Sequence, residues 1–330
     1  MRSSLTVESI LKWSRNFMES RILLTAAELD LFALLSPQPL SAAEVAGRLL
    51  GNLRAVTILL DALAAMGFLE KHAERYQCLP PVSDFLSSDR PNSILSMVLH
   101  AAHLWRPWTH LTDAVNGRET RSAAAPAEDE EGLRAFIGAM HAIAAPMASR
   151  IVNSVNPAGA RALLDVGGAS GTYTLAFLLT DPKMKATLFD RPPVIRMARK
   201  RLAEAGMLDR VTLMPGDFYA EELPSGHDLA FLSAIIHQNS PEQNLDLFKK
   251  VFRSLTPGGR IVIRDHIMAP DRTGPLSGAV FAVNMLLATK GGNTYTFEEV
   301  EKGLVQAGFL RVRLMQTGEN MDGLVEGFKP

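Results

Sequence analysis

The residues best suited to chemistry lie in one turn, which follows a strongly apolar run near the middle of the chain. The segment from 163 to 172 reads Leu-Leu-Asp-Val-Gly-Gly-Ala-Ser-Gly-Thr, so a buried strand should end at Asp165-Val166 and a helix should begin near Gly171. Small residues let a ligand approach the backbone closely, and the N-terminus of a helix favours a bound carboxylate or phosphate. The sequence therefore predicts a ligand-binding turn between a strand and a helix.

Two further carboxylates follow the next two strand-like runs. Asp190 comes directly after one run, and Asp217 lies in Pro215–Phe218 after the other. The strands of a parallel sheet end at one shared edge, and ligands bind outside the carboxyl ends of the strands. Together with Asp165, these acids occupy three successive strand ends, which indicates one binding site rather than solvated surface charge.

The spacing of the small residues distinguishes between the nucleotide classes. The dinucleotide fingerprint G-x-G-x-x-G would need glycine at the positions of Ala169 and Thr172, and no Gly-Lys-Ser/Thr follows to form a phosphate loop. The pattern Asp-x-Gly-Gly-x-x-Gly fits the cofactor loop of S-adenosylmethionine enzymes. We therefore expect the loop to approach the methionine part of that cofactor and Asp190 to hold the ribose diol. Asp217 would accept from the adenine amino group, with Phe218 stacked on the ring.

The second half of the chain alternates strand-like and helical runs, which is typical of a doubly wound parallel α/β sheet. Helices are expected near 171–180, 192–206 and 241–255. Strands are expected at Ala162–Val166, Ala186–Phe189, Val211–Met214, Leu229–Leu232, Arg260–Arg264 and Phe309–Gln316. Before them, a linker at Asn116–Gly132 should lead into a helix that starts at the acidic run Glu128–Glu131 and reaches about Val155, with a break near Pro146.

Residues 1 to about 90 predict a small, mostly helical domain. Ser41 and Glu44 form a capping box for one helix, a second helix ends at Gly67, and 68–79 looks like a short hairpin. Helix, turn, helix and hairpin is the order of a winged helix. DNA binding is an alternative, but the second helix offers only Arg54 as a cation. A helix with so few positive charges would attract the phosphates of DNA only weakly. A structural or dimerisation role is favoured.

The composition narrows the class of protein further. Lys plus Arg total 34 against 35 Asp plus Glu among 330 residues, so neither nucleic acid nor an anionic membrane is an expected partner. One Cys excludes a disulfide framework, and His100 with His103 lacks a further ligand at metal-binding spacing, so no metal is expected.

The longest uncharged apolar runs fall short of the ~20 residues of a membrane helix. The N-terminal residues lack an apolar signal core, and we expect a cytoplasmic protein.

Four motifs together resemble the large O-methyltransferase family that includes plant caffeate and flavonoid methyltransferases, hydroxyindole O-methyltransferase and bacterial polyketide-tailoring enzymes. The loop Asp165–Gly171 resembles the family's Asp-Val-Gly-Gly-Gly-Thr-Gly, and Phe189–Ile195 resembles Phe-Asp-Leu-Pro-His-Val-Ile. Gly216–Tyr219 resembles Gly-Asp-Met-Phe, and Leu255–Arg260 matches the turn before the fifth strand. The resemblance covers nearly the whole chain, and it names S-adenosylmethionine as the cofactor.

The family resemblance implies a particular domain organisation. Residues 1–95 would form a winged-helix dimerisation domain, and the protein would be a homodimer. Residues 96–330 would form a class I methyltransferase domain with a Rossmann-like sheet. Within that domain, the helical segment 96–156 would contribute to the acceptor pocket.

The resemblance also implies roles for individual residues in methyl transfer to a hydroxyl of a small aromatic or polyketide-like acceptor. His237 matches the family's general base, and Asp265 matches the acid that orients it. The implied cofactor contacts are Asp165, Gly167, Gly168, Gly171, Asp190, Arg191, Asp217, Phe218 and Ser233. The implied acceptor contacts are Phe136, Met140, Asn284 and Met285.

Several positions depart from the family pattern. Thr294 stands where a second acid, Glu, is common, and Gln238-Asn239 replace the usual Asp-Trp after the base. Ser233 occupies a position where plant relatives tend to have Lys. These departures leave non-methylating chemistry, such as hydroxylation or decarboxylation, as an alternative. The acceptor atom also stays open, because methylation at carbon or nitrogen occurs on the same scaffold.

Overall fold

The computed structural model describes residues 5–88, 90, 93–118 and 130–330, with side chains from 132 onward in the last range. The chain divides into two compact units, Met1–Trp105 and Arg106–Pro330. The boundary at residue 95 expected from the sequence stays a prediction. Most of the predicted linker Asn116–Gly132 lies outside the described residues, as do the side chains of the acidic run Glu128–Glu131.

The first unit has the predicted order of helices followed by a hairpin. The Ser41–Glu44 capping box is present, and Gly67 has a φ of +81° just after the second helix of the pair. Strands β1, β3 and β2 form a small antiparallel sheet in that order. The elements are α1 (Val7–Glu28), α2 (Leu31–Leu35), β1 (Leu40–Ser41), α3 (Ala42–Leu49), α4 (Leu53–Ala65), β2 (Leu69–His72), β3 (Arg75–Cys78), α5 (Pro80–Leu86) and α6 (Leu95–Thr109), which runs across the division.

The second unit begins with helices and then alternates strands and helices. A 3₁₀ turn at Ala145–Met147 interrupts the helical stretch before the first strand near Pro146, as predicted. Its helices are α7 (Leu111–Val115), α8 (Glu130–Ala144), α9 (Ala148–Val155), α10 (Thr172–Thr180), α11 (Pro192–Glu204), α12 (Pro241–Ser254), α13 (Leu276–Ala288) and α14 (Phe297–Gln306). Its strands are β4 (Ala162–Val166), β5 (Lys185–Asp190), β6 (Val211–Pro215), β7 (His227–Ser233), β8 (Leu255–Asp265), β9 (Ile267–Met268), β10 (Tyr295–Thr296), β11 (Leu310–Gln316) and β12 (Gly323–Phe328).

Seven of these strands form one sheet in the order β11-β12-β8-β7-β4-β5-β6. The five strands from β8 to β6 are parallel to one another, whereas β12 runs antiparallel to both β8 and β11. The strand order reverses at β4, because β5 lies on one side of it and β7 on the other. This switch point places a crevice at the carboxyl end of β4, where the predicted cofactor loop begins.

Strand β12 was missed by the sequence analysis because its apolar run is interrupted by Glu326 and two glycines. In the structure the Glu326 carboxylate is fully buried and pairs with Arg260, whose Nη1 lies 2.7 Å away, and with Arg313. A buried carboxylate is tolerated when it is paired and hydrogen-bonded. A charge that signals exposure in the sequence is therefore satisfied by side chains of the two neighbouring strands.

Helices cover both faces of the large sheet, as the doubly wound prediction requires. Leu163 packs with α9 and α10 on one face, while Leu164 packs with α12 and α14 on the other. The alternation follows from the two-residue repeat of a strand. Each large side chain that is fully buried, such as Phe231 or Phe248, contributes roughly 1.5–3 kcal/mol through burial.

One helical stretch, Gly132–Val155, is long and apolar enough to cross a membrane by length and composition alone. It is interrupted by the 3₁₀ turn, and Ile151, Val152 and Val155 are buried against the sheet core. About 33% of its most apolar 18 residues are buried in the fold.

Candidate active site

The predicted cofactor loop follows β4 and is pressed so closely against neighbouring side chains that glycine is required. A Cβ on Gly167 would lie 2.5 Å from Cδ1 of Ile235, and this residue has a φ of +69°. A Cβ on Gly168 would lie 2.7 Å from Cγ of Leu188. The N-cap of α10, Gly171, has a φ of +78° and no side-chain cap. The N–H of Thr174, the third residue of α10, bonds to Asp165, so the N–H groups of Thr172 and Tyr173 are the ones left for a ligand.

Asp165 lies beneath this loop and is about 1% exposed. The Thr174 hydroxyl donates to its Oδ2 over 2.5 Å, and a Cβ on Gly168 would come within 2.9 Å of the same oxygen. Burial raises the pKa of Asp165 to about 6, and the Thr174 hydrogen bond opposes that rise. The structure therefore places Asp165 where it supports the loop and the first turns of α10.

Asp190 lies at the carboxyl end of β5, and its carboxylate is tied to the cofactor loop. Its Oδ2 accepts from the backbone N–H of Ala169 over 2.8 Å, and its Oδ1 accepts from the N–H of Arg191 over 2.7 Å. Burial raises the pKa of Asp190, while the two backbone hydrogen bonds oppose the rise. A carboxylate has about four lone-pair sites, so two remain for ligand hydroxyls. The side chain of Arg191 is exposed.

Asp217 and Phe218 lie together after β6, as predicted. Asp217 is exposed, and its Oδ1 accepts from the backbone N–H of Tyr219 over 2.9 Å. The Phe218 ring lies at the edge of the loop, since a Cβ on Gly167 would be 3.8 Å from its Cε1. An aromatic face beside an exposed carboxylate suits a purine ring with an exocyclic amino group.

Ser233 ends β7 beside a cation supplied by the next strand. Its hydroxyl accepts from Nη1 of Arg264 over 3.0 Å. Arg264 is about 3% exposed, and its guanidinium lies 5.3 Å from the centre of the Tyr173 ring. Arg264 of β8 thus places a positive charge beside Ser233.

The structure brings His237 and Asp265 together, as the resemblance implied. Nδ1 of His237 lies 2.9 Å and 3.0 Å from the two carboxylate oxygens of Asp265, and both residues are buried. Burial alone would raise the pKa of Asp265, but the His237 ring and the backbone N–H of His266 lower it below its usual value. An ionised Asp265 accepts a hydrogen bond from Nδ1–H, so the neutral imidazole keeps its lone pair on Nε2.

A buried polar network holds the turn that carries His237. Asn239 is fully buried; its Oδ1 accepts from the Tyr219 hydroxyl, and its Nδ2 donates to Asn244 Oδ1 over 2.9 Å. The Tyr295 hydroxyl donates to the carbonyl of Asn239, and Asn244 donates to the carbonyl of Ile236. Asn239, one of the departures from the family pattern, therefore anchors the turn. Sequence reasoning missed this role because the partners are distant in the chain.

We expect replacement of Asn239 by alanine to destabilise the protein by about 2–4 kcal/mol, because buried partners lose their hydrogen bonds. Urea unfolding followed by fluorescence measures the change. Asn153→Ala, at an exposed position on α9, is the control and should change the free energy of unfolding by less than about 0.5 kcal/mol. Equal stability of the Asn239 and Asn153 variants would contradict the anchoring role.

The segment that carries Thr294 packs against the turn of His237. The backbone N–H of Asn293 donates to the carbonyl of His237 over 2.9 Å, and a Cβ on Gly292 would lie 2.5 Å from that carbonyl oxygen. Thr294 is buried there without supplying an acid. Among the described residues, Asp265 is the carboxylate within ion-pair distance of His237.

Helix α13 lies over His237 through an aromatic contact. The Phe281 ring meets the His237 ring edge to face, with 4.8 Å between the ring centres. One turn later, Asn284 Oδ1 accepts from Nε1 of Trp108 over 3.0 Å. Because the indole N–H is only a donor, its partner must be the amide oxygen, so Nδ2 of Asn284 is left as a donor. Met285 is buried on the same helix.

The other two predicted acceptor contacts lie on α8. Phe136 packs against the apolar cluster of Leu133, Ile137 and Val194, as does Ala169 of the cofactor loop, and Met140 is half-buried. Among the residues described, no group of three His, Cys, Asp or Glu side chains could hold a metal ion.

The loop, the uncapped N-terminus of α10 and the acids Asp190 and Asp217 fit one cofactor. Gly167 and Gly168 leave backbone where a Cβ would collide with Ile235 and Leu188, so the turn is shaped for close approach of a ligand. Carboxylates at two strand ends suit a ribose diol and an adenine amino group, whereas a pyrophosphate would be repelled. The donor set fits S-adenosylmethionine.

Comparison with known proteins supports the same class of enzyme. Residues 108–310 match the family model described as the O-methyltransferase domain, and residues 11–89 match the O-methyltransferase dimerisation domain. The chain is 32% identical to 3-hydroxy-5-methyl-1-naphthoate 3-O-methyltransferase of Streptomyces sahachiroi, over 94% of this chain and 92% of that protein. It is 30% identical to tetracenomycin polyketide synthesis 8-O-methyl transferase TcmO of Streptomyces glaucescens, over 97% of this chain and 96% of that one.

Solved structures show the same architecture over the whole chain. The structure of PigF with SAH superposes with a TM-score of 0.89 at 26% identity, covering 98% of this chain and 100% of that one. Human N-acetylserotonin methyltransferase in complex with SAM superposes with a TM-score of 0.84 at 25% identity, covering 100% and 99%. The fold is therefore that of a class I S-adenosylmethionine-dependent methyltransferase, as predicted. The chain belongs to the O-methyltransferase family with an N-terminal dimerisation domain, and S-adenosylmethionine is its cofactor.

Proposed function

We propose that His237 is the general base of methyl transfer to an aromatic hydroxyl and that Asp265 orients it. The observation that carries this proposal is the buried pair itself. Nδ1 of His237 is held by both oxygens of Asp265, at 2.9 Å and 3.0 Å, so the neutral ring presents its Nε2 lone pair. No described residue hydrogen-bonds to that nitrogen, which leaves it for the acceptor hydroxyl.

The cofactor, when bound, supplies an electrophilic methyl carbon on its sulfonium. The protein residues bind the cofactor and remove the proton of the acceptor hydroxyl. The loop and Asp190 would hold the cofactor, Asp217 and Phe218 would contact its adenine, and His237 Nε2 would remove the hydroxyl proton. The buried carboxylate of Asp265 stabilises the imidazolium that forms, as in other base–acid pairs. A phenol near pKa ~10 and an imidazole near ~6.5 differ by roughly 5 kcal/mol, a cost that can be shared with bond formation.

The acceptor we propose is a small aromatic or polyketide-like compound with a ring hydroxyl. Phe281 lies edge to face against His237 and offers an apolar surface beside the base. Asn284, fixed by Trp108, presents an amide donor for a second oxygen on the acceptor. Two relatives act on a hydroxynaphthoate and in tetracenomycin synthesis, which supports a fused aromatic acceptor carrying several oxygens.

A labelled-methyl screen tests the reaction type. The enzyme would be incubated with S-adenosylmethionine carrying a ¹³C methyl group and a panel of hydroxynaphthoates and polyketide phenols. We expect one S-adenosylhomocysteine for each O-methyl product, with the label at the chemical shift of an aryl methyl ether. Turnover of a phenol without release of S-adenosylhomocysteine would contradict the proposal and favour hydroxylation or decarboxylation.

Methylation at carbon is the alternative with specific support, because L-tyrosine C(3)-methyltransferase of Streptomyces lavendulae is 27% identical over 86% of this chain. The same screen detects methylation at carbon, since a methyl group on a ring carbon has a different chemical shift from a methyl ether. Phenols whose ortho and para ring carbons are already substituted are the matched acceptors. They should still be O-methylated, whereas methylation at those carbons is blocked.

We propose that residues 1–95 dimerise the protein while residues 96–330 carry the chemistry, with residues 96–156 contributing to the acceptor pocket. Helix α1 carries a row of exposed apolar side chains at helical spacing, Ile10, Trp13 and Phe17, the last two 66% and 53% exposed. Such a surface is typical of an interface, and the dimerisation-domain match covers residues 11–89. The site described above is built from the second unit, and we propose that the protein is a cytoplasmic enzyme whose partner is a small molecule.

We expect the double variant Trp13→Glu/Phe17→Glu to be monomeric, because charges would replace the apolar side chains at the interface. Light scattering coupled to gel filtration should give a mass near twice 35.9 kDa for the wild type and near 35.9 kDa for the variant. Arg15→Glu, on the same helix, also changes charge without removing apolar surface and should stay dimeric. A dimeric double variant would contradict this assignment of the interface.

A further inference from the structure

His141 connects three elements around the cofactor loop, although sequence analysis assigned it no role. It lies on α8, next to Met140. Its Nδ1 is 2.8 Å from the Thr172 hydroxyl, at the first residue of α10, and its Nε2 is 2.7 Å from Nη1 of Arg201 on α11. The Thr172 hydroxyl is in turn 3.1 Å from the hydroxyl of Ser170 in the loop. The four residues form one chain of hydrogen bonds.

The chemistry of the partners determines which atom donates and which accepts in each of these hydrogen bonds. A guanidinium can only donate, so Arg201 must donate to a lone pair on Nε2 of His141. A neutral imidazole then carries its proton on Nδ1 and donates to the oxygen of Thr172. Burial, reinforced by the charge of Arg201, lowers the pKa of His141 and favours this neutral form. The Thr172 hydrogen is left to donate to Ser170 or to an anion at the N-terminus of α10.

Apolar packing joins α8 to the same region independently of His141. Leu133 and Ile137 of α8 are buried with Val194 of α11, and Ala169 of the cofactor loop packs against this cluster. Replacing His141 should therefore leave α8 in place. The apolar contacts hold α8 in place, whereas the hydrogen bonds of His141 orient the hydroxyls of Thr172 and Ser170.

We propose that His141 is a positioning residue for the cofactor: it fixes the Thr172 hydroxyl at the start of α10, beside the loop that binds the methionine part. The inference depends on the S-adenosylmethionine site, which the family establishes, and not on His237 being the base. Variants of His141 should change cofactor affinity, whereas variants of His237 should change turnover with cofactor affinity retained.

Isothermal titration calorimetry with S-adenosylhomocysteine tests the proposal without a need for turnover. His141→Leu removes both hydrogen bonds, and we expect its dissociation constant to rise ~10-fold, the equivalent of about 1.4 kcal/mol. His141→Gln retains an oxygen that can accept from Arg201 and an amide that can donate to Thr172, so its affinity should stay within about 3-fold of wild type. With saturating cofactor, kcat of both variants should stay within about 3-fold of wild type.

His227 provides a matched control. It is also a histidine with two hydrogen bonds, to the Thr187 hydroxyl at 2.9 Å and the Pro224 carbonyl at 3.1 Å, but it lies at the amino end of β7, away from the loop. His227→Leu should lower the melting temperature and keep the wild-type affinity for S-adenosylhomocysteine. The proposal is overturned if His141→Leu binds like wild type, if His141→Gln is as weak as His141→Leu, or if His227→Leu loses as much affinity.

Discussion

Replacement of His237 by alanine is expected to lower kcat by ~10²–10⁴-fold, the contribution typical of a positioned general base. The buried ring is the group whose Nε2 lone pair is left open by the hydrogen bonds from Nδ1 to Asp265. Removing it leaves the acceptor proton to bulk water. Release of S-adenosylhomocysteine, followed by mass spectrometry at saturating cofactor and acceptor, measures the effect.

Two companion variants separate base catalysis from packing. Asp265→Asn keeps the shape of the side chain but presents an amide that can donate to Nδ1, which selects the wrong tautomer of His237. We expect a loss of turnover of similar size. His266→Gln changes a second imidazole that packs on Phe281, with 5.1 Å between ring centres, and should cost less than about 3-fold. Near wild-type turnover by His237→Ala, with cofactor bound, would remove His237 as the base.

The second large effect concerns the cofactor. Asp190→Ala is expected to weaken binding of S-adenosylhomocysteine by ~10- to 100-fold, because charge-assisted hydrogen bonds contribute roughly 1.5–3 kcal/mol each. The variant removes the acceptor of the ribose diol. It also removes the Oδ2 atom that accepts a hydrogen bond from the N–H of Ala169, in the middle of the loop. Calorimetric titration with S-adenosylhomocysteine gives the affinity directly.

Asp228→Ala is the matched control for that experiment. Asp228 also accepts from two backbone N–H groups, those of Arg161 at 2.8 Å and Ala162 at 3.0 Å, but it lies at the amino end of β7. Both variants therefore lose comparable structural hydrogen bonds, at opposite edges of the sheet. Similar affinities for the two variants would show that the loss at Asp190 reflects general loosening and not a contact with the cofactor.

The strands that carry the cofactor site could be predicted from the sequence because their signals are local. An apolar run followed by small residues fixes the end of β4 at Val166, and the acids after β5 and β6 identify the same sheet edge. The helix break at Ala145–Met147 followed from Pro146. In each case the physical cause lies within a few residues of the feature.

The parts that could not be predicted depend on contacts between distant residues. Asn239 is read in the sequence as a departure from the family, yet its amide is satisfied by Tyr219 and Asn244 at the base of the His237 turn. His141 shows no pattern on α8 that would mark it, because its partners Thr172 and Arg201 lie 31 and 60 residues away. Polar groups whose partners are supplied by the fold give no periodic signal.

If His237 acts by removing a proton, its contribution to turnover should depend on the acidity of the acceptor hydroxyl, and a series of acceptors with different acidities measures that dependence. The ratio of wild-type to His237→Ala kcat would be measured for ring-substituted hydroxynaphthoates whose hydroxyl pKa falls from ~10 to ~7. We predict that the ratio shrinks steadily as the acceptor becomes more acidic, because an already ionised oxygen needs no base. A ratio that stays constant across the series would contradict the account and leave His237 with a role in binding alone.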